Sequence, residues 1–270
     1  MRVPSMDEIW EVAETCGANS EAPHLWERLV AAFPLCEGAG NRVFNVVDRS
    51  RHLRFYNSVE APWALAPWGR AKYQTQIGQR FGQDNVIRIR PGVSVTFSQW
   101  IIPTTWEPAG PANPAFWRAN DVNSFNVFQG TSGRPWIRWN GENVLWPSSG
   151  YAVPLNEIAH CVYVMRMGSA GTGFMGFYTQ GILRHFVTGS YSNAGFVIDQ
   201  LGYQYTEGEF IGGYHGPLMF HERALSAQEI SELYADPWAM YRVRPRVLVR
   251  GVTLPSAKKT PIHHLVSGCA

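Results

Sequence analysis

Long apolar runs are missing from this chain, and no stretch approaches the roughly 20 residues that a membrane-spanning helix needs. An excess of one charge is missing too. The formal net charge is +2, which excludes a nucleic-acid-binding surface spread over the whole protein. Met1-Arg2-Val3-Pro4 runs into Met6-Asp7-Glu8-Ile9 with no apolar secretion region, so classical export is not expected. Cysteine is sparse. Cys16, Cys36, Cys161 and Cys269 form no CxxC pair, and all four are expected as reduced thiols of a protein that folds in a reducing cytoplasm. His263-His264 near Cys269 is the nearest approach to a zinc set, and it reads as a polar tail. Repeats of solenoid or propeller period are absent as well.

What the chain does have is aromatic residues, eleven of them tryptophan, and many short segments with the period-two alternation of half-buried strands. Val86-Ile87-Arg88-Ile89-Arg90 alternates apolar and basic residues, one face buried and the other wet. The segment from Val93 to Ile102 carries the same pattern more strongly. Further strands are expected at 29–35, 43–48, 53–56, 124–129, 135–139, 160–167, 173–178, 183–188, 196–201 and 209–220, with a proline- and tryptophan-rich connection around Pro62-Trp63 and Pro67-Trp68. Short strands at even spacing with almost no internal helix predict an all-β, two-sheet antiparallel sandwich.

Two short helices frame it. Ser226 with Glu229 forms a capping box, Leu225 and Ile230 can staple its entry, and Leu233 and Tyr234 continue the apolar face until Asp236-Pro237 stops it. A cap contributes about 1 kcal/mol, too little to hold so short a helix alone, so it must pack on something. Ser5 with Glu8 is a second capping box, and it opens an amphipathic helix that folds back on its own domain or docks on a neighbour. Beyond Trp238 no acidic residue occurs, while Arg242, Arg244, Arg246 and Arg250 recur. The expected division is therefore an N-terminal arm over 1–24, a sandwich over 25–238 and a basic assembly arm over 239–270. Truncation after Trp238 is expected to leave a folded domain that fails to assemble.

Two distant stretches then resemble a family. Leu29 to Leu35, the turn Glu37-Gly38-Ala39-Gly40 and the corner Asp48-Arg49-Ser50 look like the opening of laminin-G-like domains of the concanavalin A-like lectin/glucanase class. Arg223-Ala224-Leu225-Ser226 with Glu229-Ile230 looks like their ending. Val95 to Ile101 resembles the family's central inner strand. Gly176 to Gly181 resembles its Tyr-x-Asn-Gly turn, with Gln180 where asparagine is usual. The resemblance, over roughly Leu25 to Trp238, implies a jelly roll of two curved sheets, one of which carries the capped helix. The ending Leu233 to Trp238 and the basic tail also look like laminin-G-like proteins of bacteriophages.

Glucan-cleaving enzymes of that class set two glutamates around an aspartate at alternate strand positions, where the carboxylates share a face. No acidic residue here has that spacing, and no Gly-x-Ser-x-Gly elbow occurs. Gly168 to Gly173 lacks a lysine and a following helix and reads as a hairpin loop. Asn45, Asp48 and Asp121 are loop candidates for calcium, but no cluster of three acids appears, and neither metal nor cofactor is expected. Sugar sites combine an aromatic platform with amides on a rigid scaffold. Trp136, Trp139, Asn140, Asn143 and Trp146 have that composition; Trp136 and Trp139 cannot share one face of a regular strand, so one can be exposed. The alternative is that these tryptophans fill the core or an interface.

The expected function is a non-enzymatic virion protein of a bacteriophage, a capsid decoration or tail-associated subunit. Its terminal arms would meet other virion proteins and like subunits, and its jelly roll would bind host-surface glycans; no specific nucleic acid and no membrane span are implied. A lectin-type module outside a virion is the alternative, and a polysaccharide hydrolase or lyase a third reading.

Overall fold

Apolar and polar residues alternate along the chain, so each strand must bury one side, and the strands whose two sides are both apolar must lie between two layers. The computed structural model describes residues 2–56, 62–74, 80–105, 115–119, 126–129, 135–139, 142–145, 151–168, 172–190, 195–201 and 212–245. In chain order the elements begin with helix α1 (Met6–Glu14) and a 3-10 turn (Pro23–Trp26), followed by β1 (Leu29–Phe33), β2 (Arg42–Phe44), β3 (His52–Tyr56), β4 (Trp63–Ala66), β5 (Gly69–Gln74) and β6 (Arg80–Ile89). Next come β7 (Val95–Thr105), β8 (Ala115–Ala119), β9 (Asn126–Gln129), β10 (Pro135–Trp139), β11 (Glu142–Leu145) and β12 (Ala159–Met167). The chain then forms β13 (Thr172–Thr179), β14 (Ile182–Ser190), β15 (Phe196–Leu201), β16 (Gly212–His221), α2 (Ala227–Ala235) and a 3-10 turn (Ala239–Tyr241).

All pairings of these strands are antiparallel, and they make two sheets: β14-β13-β12-β7-β16-β5-β4, with β1 also on β16, and β11-β10-β9-β8-β15-β6-β3-β2. This is the expected jelly-roll sandwich. The connection around Pro62-Trp63 and Pro67-Trp68 is not a loop, however. It is the hairpin β4-β5, with Trp63 opposite Lys72, and β5 gains its stability by pairing with β16. β16 holds the first sheet together. One edge runs along β7; on the other, Gly213–His215 meet β5 and Leu218–His221 meet β1. The partner changes at Gly216-Pro217, where proline has no N–H to donate.

Alternation sorts the first sheet's side chains into two cores. Val95, Phe97 and Ile101 of β7, with Cys161, Tyr163 and Met165 of β12 and Leu218 and Phe220 of β16, face the second sheet's Val43, Leu53, Ile87 and Ile89. Trp100, Val162, Val164 and Met219 point the other way, into a second cluster covered by α1, both 3-10 turns and α2. That outer face is the partner α2 needs. Its capping box is formed as expected, Leu225 and Ile230 are buried together, and Tyr234 stacks on Trp100 at 5.8 Å. Ser226→Ala should lower stability by about 1 kcal/mol, read as a shift of the urea midpoint.

The Glu229 carboxylate also has a pH signature. Burial raises its pKa, but hydrogen bonds from the Arg223 guanidinium and the Ser226 N–H outweigh burial and hold it down at about 2. Because the folded value lies below the unfolded one, this stabilisation is complete above the ordinary carboxylate range and is lost as pH falls from about 4.5 towards 2. The melting-temperature difference between the chain and Glu229→Gln should therefore shrink over that window.

Several expectations change in α1 and at the chain ends. Ser5 Oγ accepts the Glu8 N–H at 3.2 Å, but the Glu8 carboxylate pairs with Arg2 and accepts the Val243 N–H, so the reciprocal half of that capping box is not made. α1 folds back on its own domain, with Ile9 and Val12 fully buried. Residues 19–21 and 242–244 then run side by side, with Glu21 N–H on Arg242 O and Arg244 N–H on Asn19 O. Met240 and Tyr241, placed in the arm by the expected division at Trp238, are fully buried. Arg242 is likewise no free arm residue: its guanidinium pairs with Asp236 and Glu21, and hydrogen bonding to Asp236 holds its pKa above the ordinary value. Arg244 is exposed; Arg246 and Arg250 lie outside the described residues. Cys16 is disulfide-bonded, contrary to the expectation of four reduced thiols, whereas Cys36 and Cys161 are free.

Candidate functional site

At the end of the sandwich where β1 begins and β6 and β16 finish, a cleft of about 540 Å³ opens between the sheets. It is lined by the apolar Leu29, Val30, Val47 and Ile87 and by the charged Arg28, Arg51, Arg88, Arg90, Asp48 and Glu222. The alternation read in Val86 to Arg90 explains part of this lining. Ile87 and Ile89 are 1% and 3% exposed, so Arg88 and Arg90 must stand on the open side.

Two carboxylates organise these arginines. Glu222, only 3% exposed, accepts the Arg90 backbone N–H at 2.6 Å and its Nε at 2.5 Å, while its own N–H donates to the Arg28 carbonyl at 2.9 Å. The end of β16 is thereby tied to β1 and β6. Asp48 uses one oxygen to accept the Ser50 N–H and hydroxyl, at 3.0 and 2.7 Å, and the other to pair with Arg51 Nε at 2.9 Å. The Asp-x-Ser corner is thus an Asx turn that carries an arginine. Arg28 and Arg88 have no carboxylate partner among the described residues. Among the described residues, four guanidiniums against two carboxylates give the cleft lining an excess of positive charge.

The buried histidines lie elsewhere. Ser98 Oγ is 2.8 Å from His160 Nε2, but both residues are fully buried, and the His160 ring stacks on Trp100 at 4.9 Å. Burial lowers the pKa of His160 to about 3. His221, lowered to about 4 chiefly by burial, donates from Nε2 to the Leu25 carbonyl, and His215 lies 3.0 Å from the Gln99 amide. No substrate can reach the Ser98–His160 pair. Among the described residues, no group of three His, Cys, Asp or Glu could hold a metal ion.

Of the expected sugar-site residues, Trp136 and Trp139 lie on β10 and Asn143 on β11, with Trp139 opposite Glu142 and Arg138 opposite Asn143. Asn140 and Trp146 lie outside the described residues, as does Asp121. In the second sheet β9, β8 and β15 separate β10 from β6, so this hairpin and the cleft are different places. The cleft residues escaped the sequence reading because Arg28, Arg51, Arg88 and Glu222 are far apart in the chain. The local signals were the wet face of β6 and the Asp-x-Ser corner.

A family model for the concanavalin A-like lectin/glucanases superfamily matches residues 81–231. The chain belongs to that superfamily. The match covers β6 to the middle of α2, including the Arg88, Arg90 and Glu222 side of the cleft, while the resembling opening from Leu29 to Ser50 lies before it. No curated protein sequence matches the chain. Among solved structures, domain 4 of AbnA, a GH43 extracellular arabinanase from Geobacillus stearothermophilus in complex with arabinotriose, is 17% identical with a TM-score of 0.52, covering 77% of this chain and 98% of that one. The receptor-binding domain of botulinum neurotoxin D is 10% identical with a TM-score of 0.54, covering 78% of this chain and 53% of that one. A Trypanosoma rangeli sialidase mutant displaying trans-sialidase activity is 13% identical with a TM-score of 0.53, covering 88% and 39% respectively. At these identities the likeness is one of fold alone, and the chain spans about half of the neurotoxin domain and about two fifths of the sialidase.

Proposed function

We propose that this concanavalin A-like domain is a non-catalytic, lectin-type module that recognises glycans, and that it is carried on a bacteriophage virion as a capsid decoration or tail-associated subunit. The observation that carries the recognition is the cleft: a concave site on a rigid sandwich, lined by aliphatic side chains for a sugar's C–H face and by guanidinium donors for its polar groups. The complex of arabinotriose with a domain of the same fold supports this reading. Hydrolysis is disfavoured by the state of the two cleft carboxylates. Asp48 is occupied by Ser50 and Arg51, and Glu222 by Arg90, so neither stands ready to protonate a leaving group or attack a sugar.

The virion role is supported by the likeness of the Leu233 to Trp238 ending to phage-encoded laminin-G-like proteins. In this role the basic residues from Arg244 onward make the attachment, since Arg242 is occupied within the body. Purified virions examined by mass spectrometry should contain the chain, and their lacking it would remove that half of the reading. On a glycan array the domain should bind at least one oligosaccharide and release no reducing ends from it. Binding should survive Trp139→Ala; its loss would move the site to the β10-β11 hairpin.

A further inference from the structure

We propose that the cleft selects acidic glycans, by clamping a carboxylate or sulfate group between Arg28 and Arg88. This rests on the glycan-recognition reading and names the ligand class for the same site.

Three features of the cleft lead there. The first is unmatched charge. Asp48 and Glu222 answer Arg51 and Arg90, whereas Arg28 and Arg88 have no carboxylate partner among the described residues and are both exposed. A guanidinium presents several donors in a planar fork that suits carboxylate and sulfate oxygens. Two such forks lining one cleft suit a single anionic group better than a neutral hydroxyl, which carries little charge.

The second is rigidity. Arg28 is held at a φ of 52°, in the left-handed region, because its carbonyl accepts the Glu222 N–H at the end of β16 while Leu29, the next residue, is already paired opposite His221. Arg88 stands on β6 between the buried Ile87 and Ile89. Both backbones are therefore fixed before any ligand arrives, which lowers the ordering cost of binding. Glu222 organises the lining, since it holds Arg90 with its carboxylate and Arg28 with its backbone.

The third is the composition of the lining. The half-buried Val30 and Val47 offer aliphatic surface beside charged side chains, an arrangement suited to a sugar ring bearing an acid group. A single-stranded nucleic acid would instead call for aromatic side chains on which bases stack, and among the described residues no aromatic one lines this cleft.

The test uses the full chain and three probes in a direct binding measurement: a uronate oligosaccharide, the same oligosaccharide with its carboxyls methyl-esterified, and a sulfated oligosaccharide. The expected result is that an acidic probe binds and the esterified one is at least about ten-fold weaker, the effect of losing one charge-assisted hydrogen bond. Whichever acidic probe binds more tightly identifies the anion. Arg88→Gln and Arg28→Asn should each weaken the acidic probe about ten-fold or more, asparagine being chosen because it tolerates the left-handed backbone of Arg28. Melting temperatures close to that of the unaltered chain show that the variants are folded. Equal binding of acidic and esterified probes, or acidic binding unchanged in both variants, overturns the proposal and leaves glycan recognition standing. Tighter binding to a single-stranded oligonucleotide than to any sugar overturns the glycan assignment, and no binding to any of the three sugars overturns both readings.

Discussion

A chain ending after Trp238 is expected not to fold. Three of the residues it loses, Met240, Tyr241 and Arg242, are structural: Met240 and Tyr241 are fully buried, the Met240 carbonyl accepts the Trp26 indole N–H at 2.7 Å, and the Tyr241 ring meets Trp26 and Trp238 edge-on and tilted. Removing buried side chains of this size costs about 2–5 kcal/mol each. Arg242 adds to that, because it ties Asp236 at the end of α2 to Glu21 and to the Arg2 carbonyl near the N-terminus. Against a domain stability of about 5–15 kcal/mol, the combined loss is decisive. A chain ending after Arg244 keeps all three residues and should retain a cooperative thermal transition. Both should be compared under reducing conditions, so that the Cys16 disulfide does not enter the comparison. Cooperative melting of the shorter chain within a few degrees of the longer one would show that the second core closes without this segment.

Gly213→Ala should be the most damaging conservative substitution in β16. A Cβ at this position would lie 2.1 Å from the Ile102 carbonyl oxygen and 2.9 Å from Pro103 Cα, at a φ of +139°. Those atoms are the backbone of β7, the strand that pairs with β16 along its length, so neither side can yield without breaking the sheet's central pair. The expected cost is on the order of 3–5 kcal/mol, or about 10 °C in melting temperature. Gly40→Ala is the matched control, because it too has a positive φ, +75°, but among the described residues beyond its chain neighbours no atom lies within 4 Å of its Cβ. It should lose only the left-handed penalty of about 1–2 kcal/mol. Equal losses at the two sites would mean that backbone conformation, and not the close approach of β7, accounts for the glycine at 213.

Much of the sandwich was legible one segment at a time. Alternation from Val95 to Ile102 placed β7 and its two faces, the Ser226–Glu229 box marked the start of α2, and Asp236-Pro237 its end. At Gln180-Gly181 both residues take positive φ, 48° and 75°, so glutamine does fill the hairpin turn between β13 and β14, helped by a bond from its amide to the Ile158 carbonyl. Where the reading fell short, neighbours in space overrode local signals. The prolines at 62 and 67 look like loop punctuation, yet β5 pairs with β16, which makes β4-β5 a hairpin. Glu8 suits a capping box, but Arg2 and Val243 compete for the same carboxylate. The positive run from Arg242 looks like a tail, but Asp236 and Glu21 claim its first arginine.

The cleft illustrates the same division. By itself the sequence determined what each strand would turn inward and that Arg88 and Arg90 would face water, because side-chain direction in a strand follows from a period of two. It also set the Asp48-Arg49-Ser50 corner, whose hydrogen bonds span only two residues. Only the tertiary structure decided that Arg28, Asp48, Arg88 and Glu222 would share one cleft, and that Glu222 would answer Arg90 while Arg28 and Arg88 found no carboxylate among the described residues. Charge pairing acts over a few ångströms of space, and the chain brings these residues together only when β1, β6 and β16 close the end of the sandwich.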